Sequence, residues 1–132
     1  MLDCLILGDS IAQGIAQHRS ECAVYAKTGI TSRAWNNANI TKLLKAKTVV
    51  ISLGANDSAN INTRRELETL REMVHAELVF WILPPNKPSI HSFIRELAED
   101  CHDVVLSVSN ISRDNIHPTA KGYKLLSNQT RC

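Results

Sequence analysis

The sequence predicts a three-layer α/β/α sandwich built on a five-stranded parallel sheet with strand order 2-1-3-4-5. Three observations carry this. Short apolar runs alternate with longer segments of helical periodicity. The runs are continuous rather than alternating, so both faces of the sheet are expected to be covered, as in parallel sheets. The length also fits, because five strands, five helices and ten ordinary connections need roughly 130 residues and the chain has 132. Residues 1–132 therefore read as a single domain with no residues to spare for a lid.

Each element has its own signature. Leu5-Ile6-Leu7 is the first strand, followed by a short helix over Ile11–Gln17. Cys22-Ala23-Val24-Tyr25 is the second strand. Thr31–Lys45 reads as helical in places, broken by Asn36-Asn37-Ala38-Asn39. Val49-Val50-Ile51 is the third strand. Thr63-Arg64-Arg65-Glu66 has the form of a capping box opening a helix whose Leu67, Leu70 and Val74 share one face. Leu78–Leu83 is the fourth strand. Ser89 is placed to cap a helix in which Ile90, Phe93, Ile94, Leu97, Ala98 and Cys101 recur at helical spacing. Val104-Val105-Leu106 is the fifth strand, and Pro118-Thr119 starts a last helix through Tyr123 and Leu126.

Composition narrows the function classes. Hydrophobic residues make up 44% and charged residues 21% of the chain, with a formal charge of +2 and no long run of either sign. That leaves no electrostatic case for nucleic acid or an anionic membrane as the main partner. No stretch approaches a membrane span, and the apolar start stops at Gly8 without a basic flank, so a cytoplasmic chain beginning at Met1 is expected. The four cysteines lack metal-ligand spacing, and no metal or organic cofactor is expected. In a reducing compartment Cys4, Cys22 and Cys101 read as small buried residues and Cys132 as a free terminal thiol; the alternative is a Cys4–Cys22 bridge between neighbouring strands.

Ligands of open α/β sheets bind beyond the carboxyl ends of the strands, so the residues following each strand hold the chemistry. They include Gly8-Asp9-Ser10, Thr28-Gly29-Ile30, Gly54-Ala55-Asn56-Asp57, Pro84-Pro85-Asn86 and Asp114-Asn115-Ile116-His117. Together they supply an acyl-transfer site. Ser10 is the candidate nucleophile and needs a base within hydrogen-bond reach. His117 is that base, since an imidazole takes and returns a proton near neutral pH. Asp114, three residues earlier and on the same side of a helical turn, would accept the Nδ1 proton and leave Nε2 facing Ser10. The backbone N–H groups of Ser10 and Gly29 and the side-chain amide of Asn56 are the candidate oxyanion donors.

Each of these residues alone has a plainer reading: Ser10 as a helix cap, Asn56 as a turn former, Gly29 as a loop glycine, Asp114 as a solvated carboxylate. Finding Gly-Asp-Ser, Gly-x-Asn-Asp and Asp-x-x-His together in so short a chain has a chance probability on the order of one in ten thousand. Asp9 and Asp57 read as loop-bracing acceptors. His18, His75, His91 and His102 lack partners and are expected to have no catalytic role.

At this point the chain resembles the SGNH (GDSL) hydrolase superfamily. The match is carried by Gly8-Asp9-Ser10-Ile11, Gly29, Gly54-Ala55-Asn56-Asp57 and Asp114-Asn115-Ile116-His117-Pro118, in order, across residues 5 to about 126. The resemblance implies a flavodoxin-like fold and ester hydrolysis through an acyl-enzyme without a cofactor. It also implies Ser10, Asp114 and His117 as catalytic residues, with Ser10, Gly29 and Asn56 as the oxyanion hole.

The absence of residues for a lid predicts a shallow, wet cleft that favours short acyl groups, with an O-acetylated carbohydrate or similar small ester as the preferred substrate. Trp35, Pro85 and Asn86 are the expected rim contacts, while Trp81 lies within a strand. Lysophospholipid and thioester hydrolysis, and an idle module used for carbohydrate binding or assembly, are the alternatives. An α/β-hydrolase elbow is disfavoured because Ala12 stands where its second glycine belongs. A phosphoryl receiver is disfavoured by Asp9 standing without an acidic partner, and a flavin carrier by the poor phosphate loop at Gly8–Gly14.

Overall fold

The computed structural model describes residues 1–131; the thiol expected at Cys132 lies outside them. In chain order the elements are β1 (Leu2–Gly8), α1 (Ser10–Ala16), β2 (Ala23–Ala26), α2 (Ser32–Asn39), β3 (Leu44–Ser52), α3 (Thr63–Met73), β4 (Val74–Ile82), a 3₁₀ turn (Pro88–Ile90), α4 (His91–Cys101), β5 (Val104–Leu106) and α5 (Ala120–Gln129). The five strands form one parallel sheet in the order β2-β1-β3-β4-β5. This is the predicted architecture.

Two apolar layers sandwich the sheet. On one face Leu5, Leu7, Val49, Ile51 and Trp81 pack with Trp35 of α2, Leu67 and Leu70 of α3 and Ile94 of α4. On the other, Cys4, Ile6, Val50 and Phe80 pack with Ile11, Ala12 and Ile15 of α1 and Leu126 of α5. The alternation along β1 sends successive side chains into opposite layers, which is why its apolar run is unbroken.

Several boundaries differ from the sequence reading. The Asn36–Asn39 stretch lies inside α2 rather than breaking it. Asn36 Nδ2 donates to the Glu66 carbonyl at 2.9 Å and Asn39 Nδ2 to the Trp35 carbonyl at 2.8 Å, so tertiary and local bonds engage amide donors that would otherwise compete with the helix. β3 and β4 both start earlier than their apolar centres. Val74 begins β4 opposite Leu44 instead of closing the apolar face of α3. The capping box does not form: Asn62 caps α3 by accepting from Arg65 N at 3.2 Å, which frees the Thr63 hydroxyl for another partner. Ser89 likewise makes no cap, since α4 is entered through the 3₁₀ turn.

The cysteines require a correction. Cys4 and Cys22 are joined by a disulfide, Cα–Cα 4.8 Å, where buried thiols were expected. Leu5 pairs with Ala23, so Cys4 and Cys22 occupy the next rung of the β1–β2 ladder and face one another. Bridges of this kind persist in oxidising compartments, so the cytoplasmic expectation no longer has these thiols in its support. Cys101 is free and half-buried rather than buried. No helix among the described residues is long and apolar enough to cross a membrane.

Candidate active site

Ser10 stands at the first position of α1, directly after β1. Asp9 is the cap: its Oδ1 accepts from Ile11 N at 3.0 Å and from Ser52 Oγ at 3.1 Å, and its backbone N–H donates to the Ser52 carbonyl at 3.0 Å. The nucleophile candidate is thus held between the ends of β1 and β3, where the strand order reverses. As a residue in the first helical turn, Ser10 has a backbone N–H with no intrahelical partner.

Ser10 Oγ lies 2.7 Å from His117 Nε2, across 107 residues of sequence. His117 Nδ1 lies 2.6 Å from Asp114 Oδ2. An ionised carboxylate only accepts, so Nδ1 carries the proton, Nε2 accepts, and the Ser10 hydroxyl donates. The loop that delivers this pair is not the helical turn expected from the spacing. Ile111 and Pro118 form an antiparallel bridge, Ser112 N donates to the His117 carbonyl at 2.8 Å, and Asn115 turns the chain with φ +59°. Thr119 then caps α5, its hydroxyl accepting from Gly122 N at 3.2 Å.

Asp114 is well anchored for an exposed residue. Its Oδ1 accepts from Ser112 Oγ at 2.7 Å and from the backbone N–H groups of Ile116 and His117, both at 2.9 Å. The bond to the His117 ring is the largest of the interactions that hold this carboxyl well below the usual carboxylate range, and the others act in the same direction. Ser112 was not foreseen; the signal was present as a hydroxyl two residues before the aspartate. The side chains of His117 and Asp114 are 37% and 46% exposed, so water reaches the site.

The other two candidates come from neighbouring strand ends. Gly8 pairs with Ala26 on one side and Ser52 on the other, which places the loops bearing Gly29 and Asn56 on either side of Ser10. Gly29 has φ +76° and lies in the open, where an added Cβ would meet nothing within 4 Å. Backbone conformation rather than crowding therefore calls for glycine here. Asn56 Nδ2 donates to the Ile30 carbonyl at 3.1 Å, tying the β3 loop to the β2 loop one residue past Gly29. One N–H of that amide remains without a protein partner among the described residues.

Both aspartates read as braces do bracing work. Asp57 is buried and accepts from Ser32 N at 2.8 Å, Ser32 Oγ at 2.5 Å and Thr63 Oγ1 at 2.7 Å, fixing the Asn56 loop to the starts of α2 and α3. Asp9 is buried too, with Oδ2 unpartnered among the described residues, and burial pushes its carboxyl up to about 6. A further clamp was not foreseen. Gln13 Nε2 donates to the Ala26 carbonyl at 3.4 Å, and Thr28 Oγ1 donates to Gln13 Oε1, linking α1 to the Gly29 loop.

The expected rim fares less well. Trp35 is 1% exposed, and its indole N–H donates to the Tyr25 carbonyl at 2.8 Å. It is a core residue, not a substrate contact. Asn86 Nδ2 donates to the Ala55 carbonyl at 3.1 Å and braces one loop against the other, while Pro85 beside it is half-exposed. Trp81 is buried, its indole bonded to Asp103 Oδ2 at 2.9 Å. Among the histidines outside the site, His91 bonds the Pro84 carbonyl at 2.8 Å, where no partner was expected, and His18, His75 and His102 are exposed.

Among solved structures, a GDSL-like lipase from Bacteroides thetaiotaomicron superposes on this architecture with a TM-score of 0.70 at 17% identity, over 96% of this chain and 84% of that one. The chain has the SGNH fold. A protein assigned as an acylhydrolase from Bacteroides fragilis matches with a TM-score of 0.68 at 17% identity, over 96% and 83% of the two chains. The catalytic domain of peptidoglycan O-acetyltransferase A from Streptococcus pneumoniae, bearing a methylsulfonyl adduct, matches with a TM-score of 0.65 at 17% identity, over 96% and 88%. No family model and no curated protein matches the chain. At this identity the likeness is one of SGNH fold.

Proposed function

We propose that the chain is a serine ester hydrolase that cleaves short acyl esters, O-acetylated carbohydrates foremost, through an acyl-enzyme. The observation that carries the proposal is the relay Ser10 Oγ–His117 Nε2–Asp114, with links of 2.7 and 2.6 Å. As Ser10 Oγ attacks the ester carbonyl carbon, its proton passes to His117 Nε2, and the ring becomes a cation beside an ionised Asp114. Negative charge gathers on the carbonyl oxygen, for which the N–H groups of Ser10 and Gly29 and the free N–H of Asn56 are the candidate donors. Collapse expels the alcohol, which takes the proton from Nε2. A water then repeats the sequence and releases the acid. The exposure of His117 gives water, the acceptor that hydrolysis needs, access to the acyl-enzyme.

Turnover of 4-nitrophenyl acetate tests this. Ser10→Ala is expected to lose at least about 10⁴-fold in kcat; equal rates in the two proteins would overturn the proposal. Across acyl lengths from acetyl to octanoyl, kcat/KM is expected to fall, and a rise with length would contradict the short-acyl preference.

A further inference from the structure

A cleft of about 450 Å³ lies between the β3–α3 and β4–α4 loops, lined by Gly54, Ile61, Lys87, Ile90 and Phe93 together with the Ser58 and Ser89 hydroxyls. It is close to Ser10 by register. Gly8 and Ser52 share a rung of the β1–β3 ladder, Asp9 N bonds the Ser52 carbonyl at 3.0 Å, and Ser10 and Gly54 each lie two residues beyond that rung. Adjacent strands are only about 4.8 Å apart. Gly54 keeps the cleft open: with φ +106°, an added Cβ would stand 2.5 Å from Ile90 Cδ1.

Lys87 is the cation that the cleft presents. Lys87 Nζ donates to the Asp57 carbonyl at 3.0 Å, which points the ammonium inward, and among the described residues it has no ion-pair partner. The Asp57 carboxylate offsets that charge from nearby but makes no direct ion pair with it, since both of its oxygens accept from Ser32 and Thr63. The other cation, Arg64, is spoken for: it pairs with Glu68 at 3.3 Å and Glu96 at 3.1 Å and lies over the Phe93 ring. A half-buried ammonium with two free N–H donors, facing hydroxyls and apolar walls, fits an anionic substituent on a small polar molecule.

Building on the esterase reading above, we infer that the substrate is an acylated sugar carrying a carboxylate, which Lys87 binds in this cleft while the ester lies at Ser10. The test compares kcat/KM for the methyl glycosides of mono-O-acetylated glucuronic acid and mono-O-acetylated glucose. In the wild type the acidic ester is expected to lead by about tenfold, less as salt rises from 0.05 to 0.5 M. In Lys87→Met the ratio is expected to fall to about one, and Lys87→Arg is expected to restore most of it. Because the readout is a ratio within each protein, a general effect of loosening the Asp57 loop cancels.

A ratio near one in the wild type, or an undiminished ratio in Lys87→Met, would overturn the inference. So would cleavage of 4-nitrophenyl acetate with neither sugar ester cleaved, an outcome that leaves the esterase reading intact. Unacetylated methyl glucuronoside, titrated by NMR, is expected to shift the Gly54 and Lys87 amides where methyl glucoside does not. That result without turnover of any ester would support the cleft assignment while removing the esterase reading.

Discussion

Asp114 and Asp9 are both carboxylates within reach of the site, and their surroundings drive them apart. Asp114 is exposed, yet the His117 ring, two backbone N–H groups and Ser112 hold its carboxyl below the usual range. It therefore stays ionised wherever the imidazole works, and its support for the loop is lost only as pH falls through that depressed value. Asp114→Asn is expected to cut kcat by roughly 10⁴-fold with little change in KM, as the ring loses its acceptor and takes the wrong tautomer; a drop below tenfold would count against its role. Asp9 goes the other way. Burial raises its folded value to about 6, so between roughly pH 4 and 6 the folded chain holds a proton that the unfolded chain has released. Stability from this group is thus highest at low pH and falls as pH rises. Asp9→Asn removes the dependence, and its stability relative to the wild type is expected to rise by about 2 kcal/mol between pH 4 and 7. Denaturant unfolding at several pH values measures this, and a constant difference would contradict it. Asn56→Ala is expected to lower kcat by about 10²–10³-fold; an effect confined to KM would show that its amide meets the ground state.

Among the elements, those with strong local signals were legible from the sequence. The five strand centres, the faces of α3 and α4 and the start of α5 follow from apolar spacing that agrees with their packing. What escaped depends on partners outside the element itself. Thr63 has capping chemistry, but Asp57 takes its hydroxyl and Asn62 becomes the cap. Asn36 lacks helix propensity and is held in α2 by Glu66 of α3. Trp35 has the look of a rim aromatic, yet Tyr25 offers its indole a buried acceptor. The disulfide needed the β1–β2 register, which apolar runs alone do not set. It ties an edge strand to its neighbour across a separation of 18 residues. Replacing Cys4 and Cys22 by alanine is expected to cost about 2–3 kcal/mol in denaturant unfolding. Reductant is expected to shift the wild type towards the variant, and no loss in either case would contradict a stabilising bridge.

At the scale of the molecule, a parallel sheet gathers its strand ends on one edge, and residues more than a hundred positions apart meet there. The SGNH fold puts α1 and α5 on one face and α2, α3 and α4 on the other. The β5–α5 loop brings His117 to Ser10 at the α1–α5 side, and the Lys87 cleft opens beyond Asn56 at the α3–α4 side. The two are joined by the β3–α3 loop, which carries Asn56 and accepts from Asn86 and Lys87. The whole account rests on Ser10 being made nucleophilic by His117. Mass spectrometry after treatment with a sulfonyl fluoride tests that most directly. The account predicts a single sulfonyl adduct on the peptide bearing Ser10 in the wild type, and none in Ser10→Ala or His117→Ala. Labelling of Ser10 at the same rate in His117→Ala, or of a different residue in the wild type, would contradict it.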